Sequence, residues 1–273
     1  LRRYTQHDFI ALVQRHRIPF HEKTLGQLFC DGSARAIVAM LLDECARGGV
    51  DLRLGAPVTS VSRPAHFRVE TRSGVFIAPA LVLASGGLSI PKMGATGFSH
   101  DVARQFGLAI TDTRPGLVPL TMGAGASGFD PTLAGLSQEA VVSFDKRRFR
   151  ENILFTHRGL SGPAILQISS YWRPGTDITL DLLPDLDAAA FLIERKRTRP
   201  KAAMQTILAE VMPARLAQAL TTALLSPVDP APGLRLPMEP ANIPERTLIG
   251  FASRLKAWTV RPAGTEGYAK AEV

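Results

Sequence analysis

Three places in this 273-residue sequence gather side chains that can do chemistry. The first is Leu154–Pro163 (LFTHRGLSGP), where His157 and Arg158 stand together between a threonine and closely spaced glycines. A histidine can give or take a proton near neutral pH, an arginine fork can clamp an anion, and the glycines can admit a ligand. The plainer reading of the same residues is a tight turn between strand and helix, capped by Thr156 or Ser161, and the residues alone favour it. The second place is Ala84-Ser85-Gly86-Gly87, followed by Pro91, Lys92, Gly94 and Gly97. Small residues at the end of an apolar run let backbone approach a ligand closely, and Lys92 either faces a cofactor or its substrate or lies in water. The third is a pair of basic runs, 146–150 (KRRFR) and 195–201 (RKRTRPK). Such runs can track a phosphate backbone, with Phe149 as a stacking surface for a base. Each taken alone reads more simply as a solvated helix end or a charged strand edge.

Other chemistries find no support in the spacing. His7, His16, His21, His66 and His100 show no paired ligand pattern, and Cys30 and Cys45 lie far apart, so no metal site is expected. The sequence has no GxSxG or HExxH motif. The stretch 123–128 (GAGASG) matches GxGxxG, but Phe129-Asp130-Pro131 follows in place of a helix able to aim its N-terminus at a pyrophosphate, so it reads as a loop.

The elements that must carry these groups follow from pattern. Thr5 with Asp8 forms a capping box for a helix ending before Pro19, and Ser33 caps a second that ends at Gly48-Gly49. Val50–Leu54 reads as a strand, Pro57–Val61 continues or pairs with it, and Phe67–Glu70 with Val75–Ile77 forms a hairpin. Leu81, Val82 and Leu83 make a short unbroken apolar run, predicting a buried parallel strand over Ala80–Ala84. Ser99 then caps a short helix closed at Gly107. Beyond Thr113–Gly116 the character changes. Strand-like runs at Leu117–Met122, Glu139–Phe144 and Asp177–Leu183 precede helical patterns at Ala188–Ile193, Ala203–Val211, Leu216–Leu225 and Leu248–Leu255. Ala257–Val260 reads as a final strand, and the proline-rich 227–244 as irregular.

Length and composition set bounds. A hydrophobic content of 45% with 21% charged residues describes an ordinary globular protein, long enough for two domains. No apolar stretch spans a bilayer, no signal-peptide pattern opens the chain, and two isolated cysteines suit a reducing cytosol, so a cytoplasmic location is expected. The net charge of +8 leans toward polyanionic partners, though the same balance arises without them.

The stretches 21–30 (HEKTLGQLFC), 81–97 (LVLASGGLSIPKMGATG), 114–121 (RPGLVPLT), 154–169 (LFTHRGLSGPAILQIS) and 264–273 (GTEGYAKAEV) together resemble the BaiN-like, or aminoacetone-oxidase-type, flavoproteins. The resemblance implies an α/β fold: a partial FAD-binding domain of glutathione-reductase-like type over 1–115, an inserted β-barrel-plus-helical domain over 116–262, and a return strand starting within 263–273. It implies that a Gly-rich βαβ unit and a flavin-contacting segment flank such a chain, which therefore reads as an internal portion. It places FAD against Val58 (through its backbone), Ala84, Ser85, Gly86 and Gly87. The loop Pro91–Gly97, with Lys92 and Gly94, comes near the flavin, and His157 and Arg158 turn toward substrate. Ser85 and Ile90 depart from the family's usual threonine and aromatic residue. The activity implied is that of an FAD-dependent oxidoreductase, with NAD(P)H as electron donor and a small-molecule substrate. The alternatives are flavin-dependent reduction of uridine in ribosomal RNA, the basic runs docking the RNA, or a binding module without cofactor.

Overall fold

A computed structural model describes residues 2–23, 26–123, 129–225 and 239–272, arranged as two compact units, Leu1–Val82 and Leu83–Val273. Most of the glycine-patterned loop at 123–128 and most of the proline-rich stretch lie outside the described residues. Among those described, no helix is long and apolar enough to cross a membrane.

The first unit begins with α1 (Gln6–Arg15). Its capping box forms as the sequence predicts: the Thr5 hydroxyl accepts from Asp8 N–H, and the Asp8 carboxylate accepts from Thr5 N–H at 2.6 Å. A short hairpin, β1 (Phe20–Glu22) with β2 (Leu28–Cys30), leads to α2 (Arg35–Arg47). Ala34, not Ser33, is the N-cap of α2, although the Ser33 hydroxyl still accepts from Arg35 N–H at 3.2 Å. Leu12, Val13 and Met40 form a small core with Ile18, Phe20 and Ile37 packed on it. An antiparallel meander of β3 (Val58–Ser62), β4 (Phe67–Thr71) and β5 (Gly74–Ala78) completes the unit. Val50–Leu54, expected as a strand, is not one: Val50, Leu52 and Leu54 are exposed and no strand pairs with them.

The second unit holds a seven-stranded antiparallel sheet made of β6 (Leu120–Met122), β7 (Ser137–Phe144), β8 (Arg147–Phe155), β9 (Gly159–Ser161), β10 (Ile178–Asp181), β11 (Trp258–Val260) and β12 (Pro262–Thr265). The strand order is β11-β10-β7-β8-β9-β6-β12. The two edge strands are therefore chain neighbours, separated only by Arg261, so the sheet curls round until its edges meet. Closure of this kind hides edges that would otherwise invite pairing. Helices α4 (Pro163–Ser169), α5 (Ala188–Thr198), α6 (Met204–Leu208), α7 (Ala214–Leu220) and α8 (Glu245–Lys256) pack with it on one continuous core. Phe155, Ile153, Leu160, Ile165 and Phe251 are fully buried there, each contributing about 1.5–3 kcal/mol of transfer free energy. Phe155 stacks on Trp258 at 6.4 Å. The buried Ser169 hydroxyl accepts from Val118 N–H at 2.9 Å and donates to Leu166 carbonyl, tying the entry of the barrel to α4.

Two expectations about the glutathione-reductase-like part are corrected. Every strand pair among the described residues is antiparallel, so no Rossmann-like parallel sheet is present in them. Ala80–Ala84 forms no strand, and Val82 is 84% exposed, because no neighbouring strand supplies the ladder a buried strand needs. The return-strand region likewise forms a turn, with Lys270 and Ala271 N–H both donating to Gly267 carbonyl.

Candidate functional site

The His157-Arg158 pair sits at the tip of the turn from β8 to β9. Thr156 builds that turn: its N–H donates to Gly159 carbonyl at 2.8 Å, and its hydroxyl accepts from Arg158 and Gly159 N–H at 3.2 and 3.0 Å. Ser161 caps nothing; α4 starts from Gly162 with Pro163 in its first turn. The two glycines are explained by backbone neighbours, not by a ligand. A Cβ on Gly159 would lie 2.1 Å from the Leu120 carbonyl oxygen. Gly162 has φ +88, and a Cβ there would come within 2.7 Å of Asn152 carbonyl oxygen.

The turn reading holds, and the turn also delivers its two tip residues to a cleft. A cavity of about 430 Å³ is lined by Thr121, Met122, Phe129, His157, Arg158 and Thr265, among others. That volume suits a small ring or a nucleotide fragment. The His157 ring makes no hydrogen bond among the described residues, which leaves both nitrogens open to a ligand. Arg158 lies 3.8 Å from the Glu266 carboxylate; the arginine is 71% exposed and the glutamate 12%. The carboxylate is thus held in place while the guanidinium keeps most of its donors for something else.

The loop 84–97 approaches the same site through the segment after β12. Thr265 lines the cleft, Glu266 faces Arg158, and three residues on the Tyr268 carbonyl accepts Ile90 N–H at 2.8 Å. Three residues span at most about 11 Å of chain, so cleft and loop are near neighbours. Ile90 is held at φ 57, ψ 66, a left-handed conformation that costs a β-branched residue about 1–3 kcal/mol. Pro91, Lys92 and Met93 then form a single 3₁₀ turn closed at Gly94, itself at φ 93, and Lys92 is exposed. α3 (Phe98–Gln105) starts at Gly97; Ser99 does not cap it but hydrogen-bonds the Ser85 hydroxyl.

The segment 84–97 is open backbone. Ala84, Ser85, Gly86 and Gly87 are all exposed, and a Cβ on Gly86, Gly87 or Gly94 would meet nothing within 4 Å. The hydroxyls of Ser89 and Tyr268 are buried without a hydrogen-bond partner. An open small-residue shelf flanked by two unspent hydroxyls is what a ligand with a polar edge requires. Val58, the remaining expected contact, opens β3 in the N-terminal unit, where it pairs with Thr71.

Sequence reasoning missed Glu266, Thr265 and Tyr268. They lie in a stretch whose motif stood out, but only tertiary pairing of β12 with β6 brings it under His157 and Arg158. It also missed a cluster joining two helices of the first unit, where ligand atoms of His16, Asp43 and Glu44 lie within 4.8 Å of one another. Arg47 contacts both carboxylates, at 2.8 and 3.2 Å, so the cluster is already an ion-pair network.

The family model for the HI0933-like protein barrel and H2TH domain matches residues 114–273. The chain belongs to this family. Two relatives match over the whole chain: a ribosomal RNA dihydrouridine synthase of Escherichia coli (strain K12) at 44% identity, and one of Haemophilus influenzae at 37%. The chain spans 66% and 67% of their lengths. This family corrects the BaiN-like assignment. The motifs that carried that resemblance into the barrel, 114–121 and 154–169, form the β6 entry and the Thr156 turn, and Gly159 and Gly162 are fixed there by backbone clash. They report a barrel shared with flavoproteins, not a substrate. Both relatives are named for ribosomal RNA, which gives no support to the small-molecule substrate that the resemblance implies.

Proposed function

We propose that the protein reduces uridine to dihydrouridine in ribosomal RNA, using a flavin. The observation that carries this reading is 44% identity, over the full chain, to a protein named for that reaction. The cleft supports it, because the short segment 265–268 links the imidazole and guanidinium of His157 and Arg158 to the small-residue loop at 84–97.

Reduction adds a hydride to one carbon of the uracil C5=C6 bond and a proton to the other. A bound flavin, most simply FAD, supplies the hydride. The residues that would hold it are Ala84, Ser85, Gly86 and Gly87 through bare backbone, with Pro91, Lys92, Gly94 and Gly97 in the adjoining loop. The Ser89 and Tyr268 hydroxyls, buried without a hydrogen-bond partner, are the polar groups beside it that a ligand edge would satisfy. His157 holds a proton at a ring nitrogen inside the cleft, within the class of groups that protonate a carbon neighbouring a carbonyl. Arg158, with Glu266 as counter-ion, orients the nucleotide through a uracil carbonyl or the adjacent phosphate. NAD(P)H as the donor that re-reduces the flavin enters on chemical grounds alone: each turnover consumes two electrons.

The test is a turnover assay on ribosomal RNA lacking dihydrouridine, with purified protein, FAD and NADH or NADPH. Nucleoside mass spectrometry should find uridine that has gained two hydrogens, and His157→Ala should lower the rate by about 10²-fold or more with RNA affinity little changed. Unmodified RNA from a protein that visibly carries flavin overturns the reading.

A further inference from the structure

The two basic runs look alike in the sequence and differ completely in the fold. In 195–201 four of the five cations, all but Lys201, are used internally. Arg195 donates to Glu210 at 2.7 Å, Arg199 pairs with the same carboxylate, and Arg197 donates to both oxygens of Glu194. Lys196 donates to the Ile243 carbonyl at 2.5 Å. That run is structural.

The run at 146–150 is at the turn joining β7 to β8, where Asp145 takes φ 50. Only Arg150 is neutralised there, by Glu139 and Asp185. Lys146, Arg147 and Arg148 have no carboxylate partner among the described residues. Arg147 lies on an aromatic ring instead, 4.9 Å from the centroid of Tyr171, and Tyr171 stacks on Phe149 at 5.9 Å and 25°. A guanidinium packed on an aromatic ring spends none of its N–H groups on a carboxylate among the described residues. That prepares it for bidentate contact with a phosphate and reduces the entropy lost on binding. Phe149 is partly buried and packs against the barrel core, so the Tyr171-Arg147 stack is backed by that core.

We propose that the β7–β8 tip, formed by Lys146, Arg147 and Arg148 on the Phe149-Tyr171 stack, is a docking surface for the phosphate backbone of the RNA substrate. The inference rests on the RNA reading above and adds where the RNA is held. β8 runs eight residue steps from Arg147 to Phe155, about 27 Å, so the tip is at the far end of that strand from the His157 turn. It therefore grips RNA away from the reacting nucleotide. Substitutions there should raise KM and leave kcat unchanged.

The test compares the wild-type protein with K146Q/R147Q/R148Q, and with R197Q/K201Q as the control from the other run, for binding to protein-free ribosomal RNA across a series of KCl concentrations. The triple variant should bind about tenfold or more weakly near 0.1 M salt, and its log K against log salt slope should fall by about 2 to 3, close to one per lost phosphate contact. The control should keep the wild-type slope. Arg148→Gln alone, which removes no internal contact, should lower the slope by about 0.7 to 0.9 and decides the matter if the triple variant folds poorly. Wild-type binding with variant slopes unchanged overturns this surface and leaves the RNA reading standing. A wild-type protein that ignores ribosomal RNA at every salt concentration overturns the RNA reading itself.

Discussion

The two units of this chain make opposite use of equally apolar sequence. In Leu83–Val273 the hydrophobics of the barrel and its helices leave solvent, with Val142, Ile153, Phe155, Leu180 and Leu248 all at 0% exposure. In Leu1–Val82, α2 buries Met40 but leaves Val38, Leu41 and Leu42 about half exposed, and Leu54 is at 85%. The barrel unit is stabilised by one continuous core that its own strands close around, whereas the first unit rests on three buried side chains and a meander. Hydrophobic content therefore says how much surface a chain can bury, and strand connectivity says how much it does bury. The proposed site, at His157 and Arg158, lies in the well-closed unit, which suits groups that must be held to fractions of an ångström.

The sharpest way to break that contrast is at the turn that carries His157. Gly159→Ala places a methyl 2.1 Å from a backbone oxygen of β6, and no flexible side chain can yield. We expect loss of about 3 kcal/mol or more, or failure to fold, seen as a collapsed urea midpoint, with the barrel's slowest-exchanging amides losing protection. Phe155→Ala follows, at about 3–5 kcal/mol, since it removes a fully buried ring stacked on Trp258. A Phe155→Ala protein with an unchanged midpoint would mean that the barrel core does not set global stability.

How far the sequence foretold this division depends on the kind of signal. The α1 capping box, the β4–β5 hairpin and the helices α5 and α8 were legible because caps, turns and periodicity are local. The small-residue shelf and His157-Arg158 were legible as residue types in a suggestive order. Arg158 meeting Glu266, and Ile90 bonding Tyr268, were not, because each depends on pairings more than a hundred residues apart. The unpaired Ala80–Ala84 misled for a related reason: an apolar run reports a preference for burial, and only a neighbouring strand makes it a sheet. The basic runs were indistinguishable until the fold placed Glu210 beside one of them and an aromatic ring beside the other.

In the first unit the corresponding core change should cost less and stay local. Met40→Ala removes the deepest side chain of a cluster of three, and we expect about 2 kcal/mol, at the low end for such truncations, because exposed neighbours can settle into the gap. Hydrogen exchange should show α1 and α2 opening sooner while barrel amides are unchanged. Equal loss of protection in both units would mean they unfold as one and would erase the contrast.

The smallest expected effect concerns acid. Hydrogen bonds from Arg195 hold the Glu210 carboxyl below its ordinary 4.5, with help from Arg199. In the first unit the hydrogen bond from His16 does the same for Glu44. A carboxyl whose folded pKa is depressed contributes stability that is full above its ordinary value and is lost as pH falls through the folded one. Both units should therefore weaken on their acid side below about pH 4.5. Glu210 binds guanidiniums that stay charged throughout, so Glu210→Gln should flatten the barrel unit's acid limb and cost under about 1 kcal/mol at neutral pH, as expected for a solvent-touched pair. Glu44→Gln should flatten only the limb of the first unit. The measurement is hydrogen exchange followed unit by unit between pH 3 and 7. If one substitution flattens both limbs, the two units share a single acid transition and the independence drawn from their cores fails.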